Sequence, residues 1–306
     1  MTPTPPASTA QDGRDPEALI GAERVLAKGD HNRDVGGIEL RVTALATPSR
    51  DLLRISCIPL LPLDSEAWSR GNVSVRIQVS GGEDEANDGT PGGIVSRVYT
   101  VRTFNPTTQE MDIDVVLHPG ESPMMRWVSA LAAGDTFRLT GPRQHFLPPE
   151  PSERPVALFL DETAIPALYS ILADWPAGRR AEAWIECPET APVAELPVVP
   201  GVTVHHLERP AGSAGGSTGA LVAAATSLTQ AAEHVIWAAG ERDEMRQIRS
   251  HFRTEIGLPK EQVAVYGYWK QGTSTSAIDR HRLRAYTEAL ANGGGVDDLD
   301  DLGIGI

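Results

Sequence analysis

The chain is short of cysteine, short of positive charge and free of long apolar runs, and each lack removes a class of protein. Its 306 residues include 2 cysteines, Cys57 and Cys187. Two thiols so far apart build neither a Cys-rich metal site nor a disulfide framework. Lys and Arg number 27 against 41 Asp and Glu, a formal charge of −14. That field repels nucleic acid and anionic membrane surfaces unless a local basic patch overrides it. No stretch approaches the ~18 uninterrupted apolar residues of a membrane span. The N-terminus, MTPTPPASTAQDGRDPEALIGAERVLAKGD, lacks an apolar segment behind a basic start and does not read as a secretion signal. The expectation is a cytoplasmic monomer without a nucleic-acid partner.

Several suggestive runs also lack what their chemistry needs. His205-His206 has no acidic or cysteine partner at ligand spacing, and a strand would turn the two rings to opposite faces, so no metal site is expected. The run Gly212 to Gly219 (GSAGGSTG) has neither the Gly-Lys-Ser/Thr ending nor the preceding apolar strand of a phosphate loop, and reads as a flexible connector. The Asp297 to Asp301 stretch lacks a calcium-loop pattern and reads as a solvated tail.

What is present falls into two rhythms. In the first half, Ile38–Ala46, Asp51–Pro59, Val73–Val79, Ser96–Phe104 and Met111–His118 alternate or are strand-like, and a further short strand spans Thr136–Thr140, closed by Gly141-Pro142. A helix starting on Pro123 and running to Ala133 interrupts them. The acidic stretch GGEDEANDGTPGG, from Gly81 to Gly93, cannot bury a face and reads as a solvated hairpin loop. Six short strands and one helix predict a small closed antiparallel barrel. The Pro-rich segment from Leu147 to Pro155 marks a domain boundary. Beyond it strands alternate with helices: strands at Val156–Leu160, Ala181–Cys187, Val202–His206, Val235–Ala239 and Gln262–Tyr268, and helices at Glu162–Trp175, Gly219–Ala232, Glu241–Ile256 and Ser276–Ala291. This order predicts βαβ units and a parallel sheet. The domains expected are an extension over 1–30, disordered to residue 15 with a short helix at Pro16–Lys28; a barrel over 31–147; an α/β domain over 152–291; and an acidic tail over 292–306.

Two segments can carry chemistry. Arg97-Val98-Tyr99-Thr100-Val101-Arg102 is either an edge strand with solvated arginines or a flavin platform. In the second case an Arg pairs with pyrophosphate, a Tyr lies against the ring system and a Thr hydroxyl meets a ring atom. His118-Pro119-Gly120-Glu121-Ser122-Pro123-Met124-Met125-Arg126-Trp127 is a turn entering a Pro-started helix. Taken alone it is an ordinary helix start; beside a Tyr-Thr strand its open N–H groups and dipole make a phosphate cradle.

These two segments, with Gly134-Asp135 and Gly141-Pro142-Arg143, resemble the siderophore-interacting proteins, which are flavin-dependent ferric-siderophore reductases. The second half agrees. Asp161-Glu162-Thr163-Ala164-Ile165-Pro166-Ala167 resembles that family's helix start, Val235-Ile236-Trp237-Ala238-Ala239-Gly240-Glu241 its nucleotide-binding strand and turn, and Tyr266-Gly267-Tyr268-Trp269-Lys270-Gln271-Gly272 its C-terminal signature. The motifs run in family order over residues 38–272. The resemblance implies an FAD-binding barrel and an NAD(P)H-binding domain related to ferredoxin–NADP reductases. It places FAD contacts at Arg97, Tyr99, Thr100, His118, Gly120, Arg126 and Trp127, and nucleotide contacts at Asp161, Thr163, Gly240, Glu241 and Trp269. Thr100, Thr163 and Lys270 are the expected catalytic residues. Thr163 either lines the nicotinamide cleft or, with Asp161, merely caps a helix. Lys270 is either a solvated residue or the local cation, helped by Arg102, that an anionic ferric chelate needs on so acidic a protein. The chain departs from the family pattern at Met124 and Met125, where small residues are usual; at Leu160, where Gly is usual and which is expected to narrow the cleft; and in the length of its acidic loop.

The reaction implied is reduction of a ferric siderophore by NAD(P)H through FAD. Hard oxygen donors hold Fe(II) far more weakly than Fe(III), so reduction releases the iron, and a flavin turns a two-electron donor into single-electron steps. Glu186 and Glu189 would repel a 2′-phosphate whereas Arg242 would attract one; the balance, with the further C-terminal helix, leans to NADH. Two other functions fit the same motifs: a flavoreductase with a protein electron acceptor, and a non-catalytic siderophore carrier.

Overall fold

The structure, a computed structural model, describes residues 36–81, 93–149, 153–210 and 212–273. The expected helix at residues 16–28, the acidic loop, the helix at 276–291 and the acidic tail lie outside them.

The first half closes into an antiparallel barrel of six strands: β1 (Gly36–Ser49), β2 (Leu52–Pro59), β3 (Val73–Ser80), β4 (Ile94–Phe104), β5 (Met111–Val116) and β6 (Thr136–Gln144), in the order β1-β2-β5-β4-β3-β6. Alternation explains the closure. On β3, Val73, Val75, Ile77 and Val79 are buried while Arg76 and Gln78 are half-exposed. They join Leu40, Ile55, Met111, Ile113 and Leu139, all fully buried, in one core. Each such side chain contributes roughly 1.5–3 kcal/mol of burial. A short helix, α1 (Ser65–Trp68), caps one end with Trp68, and α2 (Pro123–Ala130) follows β5.

β6 does not stop at Gly141-Pro142. It continues to Gln144, because a shift in its pairing with β3, between Ser74↔Arg143 and Arg76↔Thr140, absorbs the two residues. Gly141 also has no room for a side chain: a Cβ there would lie 2.9 Å from Val75.

The second half is a five-stranded parallel sheet of β7 (Val156–Asp161), β8 (Ala181–Cys187), β9 (Val202–Glu208), β10 (Val235–Glu241) and β11 (Val263–Trp269), ordered β11-β10-β7-β8-β9. Two of the three inner strands, β7 and β10, are buried along their whole length, as their apolar runs require when both faces are covered. The helices are α3 (Ile165–Ala173), α4 (Ala191–Ala194), α5 (Ala220–Thr226) and α6 (Arg242–Ser250). Three are shorter than their periodicity predicts. α3 begins only after a 3-10 turn at Glu162–Ala164 and ends at Ala173. α5 ends at Thr226, where the hydroxyls of Thr226 and Ser227 bond back to the helix carbonyls and Gln230 turns left-handed at φ 53°. α6 passes into a π-helical turn at His251–Glu255.

The two halves are braced together. Arg102 of β4 pairs with Asp114 (3.3 Å) and Glu195 (2.9 Å), and its guanidinium lies 3.9 Å over the ring of Tyr169 on α3. Arg54 of β2 holds the same two acids at 2.7 Å each. Beside this brace, Phe146 stacks on Tyr266, 4.8 Å between centroids, and its carbonyl accepts from Trp237 Nε1 and Asn72 Nδ2.

Candidate functional site

On the barrel, Arg97, Tyr99 and Thr100 share β4. Tyr99 packs against the barrel core, and burial raises its phenol above the ordinary range despite the opposing charge of Arg97. Thr100 points to the opposite side and is buried, paired across the ladder with Ser74. β4 neighbours β5, whose end leads into the His118 turn. There Gly120 takes φ +102°, a left-handed conformation suited to glycine, with nothing within 4 Å of where its Cβ would lie. Ser122 then caps α2: its hydroxyl accepts from Met125 N–H at 3.1 Å, ahead of Pro123 in the first turn. The Ser-Pro pair is the sequence signal of this cap. Met124 is 2 % exposed in the barrel core and Met125 packs beside it. The two methionines therefore serve packing, which is why a bulky pair fits where small residues are usual.

The donor chemistry suits a diphosphate. The first turn of α2 carries no acid, Arg126 is exposed and makes no salt bridge among the described residues, and the Gly120 turn leaves its backbone open. Trp127 packs on Phe137, 5.4 Å between centroids, with part of its ring exposed. His118 is half-exposed, its Nδ1 3.2 Å from the Pro119 carbonyl. These residues fit FAD. Arg102 does not join them: at 3 % exposure it belongs to the brace, and the expectation that it helps bind a chelate is corrected.

At the carboxyl ends of the parallel strands the chemistry inverts. Asp161, fully buried, ends β7 and gathers four donors: Thr163 N–H (2.9 Å), Thr163 Oγ1 (2.5 Å), Glu241 N–H (2.9 Å) and Trp269 Nε1 (2.7 Å). It caps the turn over Glu162–Ala164 and ties together the ends of β7, β10 and β11. Burial pushes its carboxyl up to about 7, the charge of Glu162 adding and the bonds from Thr163 and Trp269 opposing. Gly240 is what lets it fit: a Cβ there would lie 2.7 Å from Asp161 Oδ2. The Thr163 hydroxyl, like its N–H, donates to Asp161. Glu241 caps α6, accepting from Asp243 and Glu244 N–H at 2.7 and 3.0 Å. Leu160 faces the sheet core and is fully buried, so it leaves the cleft untouched.

Three more acids surround this point, and the last of them, Glu244, is brought here from a distant helix that the sequence pattern does not connect to it. Glu186, fully buried at the end of β8, accepts from Thr218 Oγ1 at 2.7 Å. Glu162 forms a two-pronged pair with Arg209. Glu244 on α6 is 1 % exposed with no good hydrogen bond to either oxygen. Burial pushes its carboxyl up to about 8; Glu186, Asp161 and Glu241 add to the push and the Val222 backbone opposes it slightly. The glycine connector packs over these groups. Side chains at Gly215 and Gly216 would strike Trp269 and Glu241, 2.9 and 2.7 Å from their Cβ positions. His205 pairs with Glu182 and stacks on Trp184, and His206 bonds the Cys187 carbonyl; no metal-holding cluster occurs among the described residues.

Comparison with known proteins decides the family. The chain is 35% identical over 278 residues to the ferric acinetobactin reductase of Acinetobacter baumannii, covering 91% of this chain and 94% of that one. It belongs to the siderophore-interacting protein family. Residues 73–146 match the siderophore-interacting FAD-binding domain and residues 154–272 the siderophore-interacting protein pattern. The crystal structure of the siderophore-interacting protein from A. baumannii superposes with a TM-score of 0.78 at 35% identity, covering 85% of this chain and all of that one. The ferric vibriobactin reductase of Vibrio cholerae is 25% identical over 61% of this chain and 69% of its own. An Amycolatopsis cytochrome P450 reductase, 21% identical with a TM-score of 0.56 over 76% of this chain and 70% of its own, shares the fold of this siderophore-interacting protein. No helix among the described residues is long and apolar enough to cross a membrane.

Proposed function

We propose that this protein reduces ferric siderophores in the cytoplasm, drawing electrons from NAD(P)H through FAD and so releasing Fe(II). The barrel module, residues 31–147, holds FAD: Arg97, Arg126 and the Gly120–Ser122 turn take the pyrophosphate, Tyr99 and Trp127 border the ring system, and Thr100 is the nearby hydroxyl. The α/β module, residues 152–291, receives NAD(P)H at its strand ends, where Thr163, Gly240 and Trp269 border the cleft and Asp161 and Glu241 hold it in shape. Bound FAD would supply the conversion of a two-electron donation into single-electron steps. The protein's own part is to orient donor and acceptor and to offset the charge of the iron chelate. Lys270, beside Trp269 at the end of β11, supplies that positive charge.

The observation that carries this reading is the open start of α2, whose first turn carries no acid, with exposed Arg126 beside it, on a chain of net charge −14. Likeness over nine-tenths of the chain to a ferric acinetobactin reductase supports the substrate class. NADH is the preferred donor: the strand-end region is crowded with Glu186, Glu162 and Glu189, and Arg209 and Arg50 beside them are already paired with Glu162 and Glu189. A 2′-phosphate would meet net negative charge there.

The test is spectroscopic. The purified protein is expected to be yellow, to bleach anaerobically with NADH faster than with NADPH, and to recover its colour with a ferric siderophore but not with an oxidised ferredoxin. Recovery with the ferredoxin alone would assign a protein acceptor, and a colourless protein that binds no added FAD would leave only a carrier.

A further inference from the structure

Trp269, Lys270 and Gln271 are consecutive, and a different carboxylate holds each one. Trp269 Nε1 donates to Asp161 at 2.7 Å, the Gln271 N–H donates to Glu241 Oε1 at 3.2 Å, and Lys270 Nζ lies 3.4 Å from both oxygens of Asp243. The outer two clamps use buried acids, Asp161 fully and Glu241 to 3 % exposure. They fix the chain on either side of Lys270 and leave its long side chain as the part free to swing. The middle clamp differs. The side chain of Lys270 is 34 % exposed and that of Asp243 48 %, so water screens the pair and it exchanges easily. Asp243 also has a second cation: Arg246, one turn along α6, reaches it at 3.1 Å. If Lys270 leaves, Asp243 keeps a counter-charge.

We propose that Asp243 is a specificity-determining residue: it holds Lys270 in reserve, and its competition for the ammonium sets how strongly the site prefers anionic over neutral iron chelates. This rests on the assignment of Lys270 to the chelate made above. Asp243 acts twice against an anionic chelate, by occupying Lys270 and by repelling the ligand directly, and neither effect touches a neutral one. Arg246 works in the opposite sense, because every share of Asp243 it takes loosens the hold on Lys270. An exposed pair shifts such a balance by no more than about fivefold, which suits a tuning element.

The experiment measures, on the FAD-loaded protein, the ratio of KM values for a ferric tris-catecholate and a neutral ferric tris-hydroxamate. Asp243→Asn is expected to lower that ratio (anionic over neutral) two- to fivefold, acting on KM and not on kcat, with the shift fading in added salt. Arg246→Gln is expected to raise the ratio in the wild-type background and to have no effect in the Asp243→Asn background, since it works through Asp243. Comparable melting temperatures confirm that α6 is intact. An unchanged ratio in Asp243→Asn, or an equal Arg246→Gln effect in both backgrounds, overturns the proposal. Lys270→Ala separates the two levels of the argument. If it raises the ratio while Asp243→Asn does nothing, only the role of Asp243 fails. If it leaves the ratio alone, the assignment of Lys270 fails and takes this proposal with it.

Discussion

The barrel and the parallel sheet place their charges in opposite ways. On the barrel, Arg126 stands exposed at an acid-free helix start, and the buried groups around it are Met124, Val128 and Phe137. At the sheet's carboxyl edge the buried groups are themselves ionisable: Asp161, Glu186, Glu241 and Glu244 are each at most 3 % exposed, with Arg209 at 5 %. The first arrangement suits an anion. The second offers an anion no unpaired buried cation among the described residues, so under the proposed function a nucleotide there would be held mainly by shape, in contrast to a cofactor held by charge.

The strongest way to break the comparison is to crowd the sheet edge. Gly240→Ala places a Cβ against the Asp161 carboxylate and is expected to cost about 2–3 kcal/mol, read as a melting temperature lower by at least about 5 °C. An unchanged melting temperature would show that the Asp161 hub is loose. Next comes Glu244. Its carboxyl ionises at about 8 in the fold against an ordinary 4.5, so the native state favours the protonated form. The stability this brings is complete below pH 4.5 and is lost as pH rises through 8. Glu244→Gln is therefore expected to be about neutral at pH 4.5 and to stabilise by roughly 1–3 kcal/mol at pH 9, measured by urea unfolding at both values. A gain of the same size at both pH values would rule out ionisation as its cause.

The barrel side is tested by Arg97→Ala, which is expected to weaken FAD binding at least about tenfold, seen as loss of yellow colour on gel filtration while the melting curve of the FAD-free protein stays put. A variant that stays fully yellow takes Arg97 out of the site. The smallest effect is expected of Thr163→Ala. Asp161 keeps three other donors, so flavin reduction by NADH should slow only about two- to fivefold in a stopped-flow trace, and an unchanged rate would reduce Thr163 to part of a helix cap.

The barrel's strands were readable because alternation is local information: the pattern in Val73–Val79 states which face is buried. Their order was not, since β2 with β5, β3 with β6 and β1 with β6 pair across long stretches of sequence. The apolar runs of β7 and β10 were equally plain. The cradle was half readable, since the Ser122-Pro123 start and Arg126 lie in one stretch of ten residues. The acid cluster was not. Glu186, Glu244 and Asp161 come from separate elements, and only the parallel sheet brings those ends together. Arg102 was misjudged for the same reason: its partner Glu195 lies 93 residues away on the other half of the molecule. The Gly212–Gly219 run looked pliable because glycine permits many conformations, whereas Gly215 and Gly216 lie against Trp269 and Glu241 with no room for side chains, and Gly212 and Gly219 take left-handed φ values of +83° and +71°.

The arginine brace has a consequence for recombination. Arg54, Arg102 and Asp114 belong to the first half of the chain, whereas Tyr169 and Glu195 belong to the second. A chimera that grafts this barrel onto a foreign nucleotide module would carry two inward arginines and one aspartate to a surface lacking their counterparts. Transplanting Glu195 along with the barrel keeps the joint electrically neutral, and adding Tyr169 restores the ring beneath the Arg102 guanidinium, which makes these five residues a heritable unit that spans the boundary between the modules.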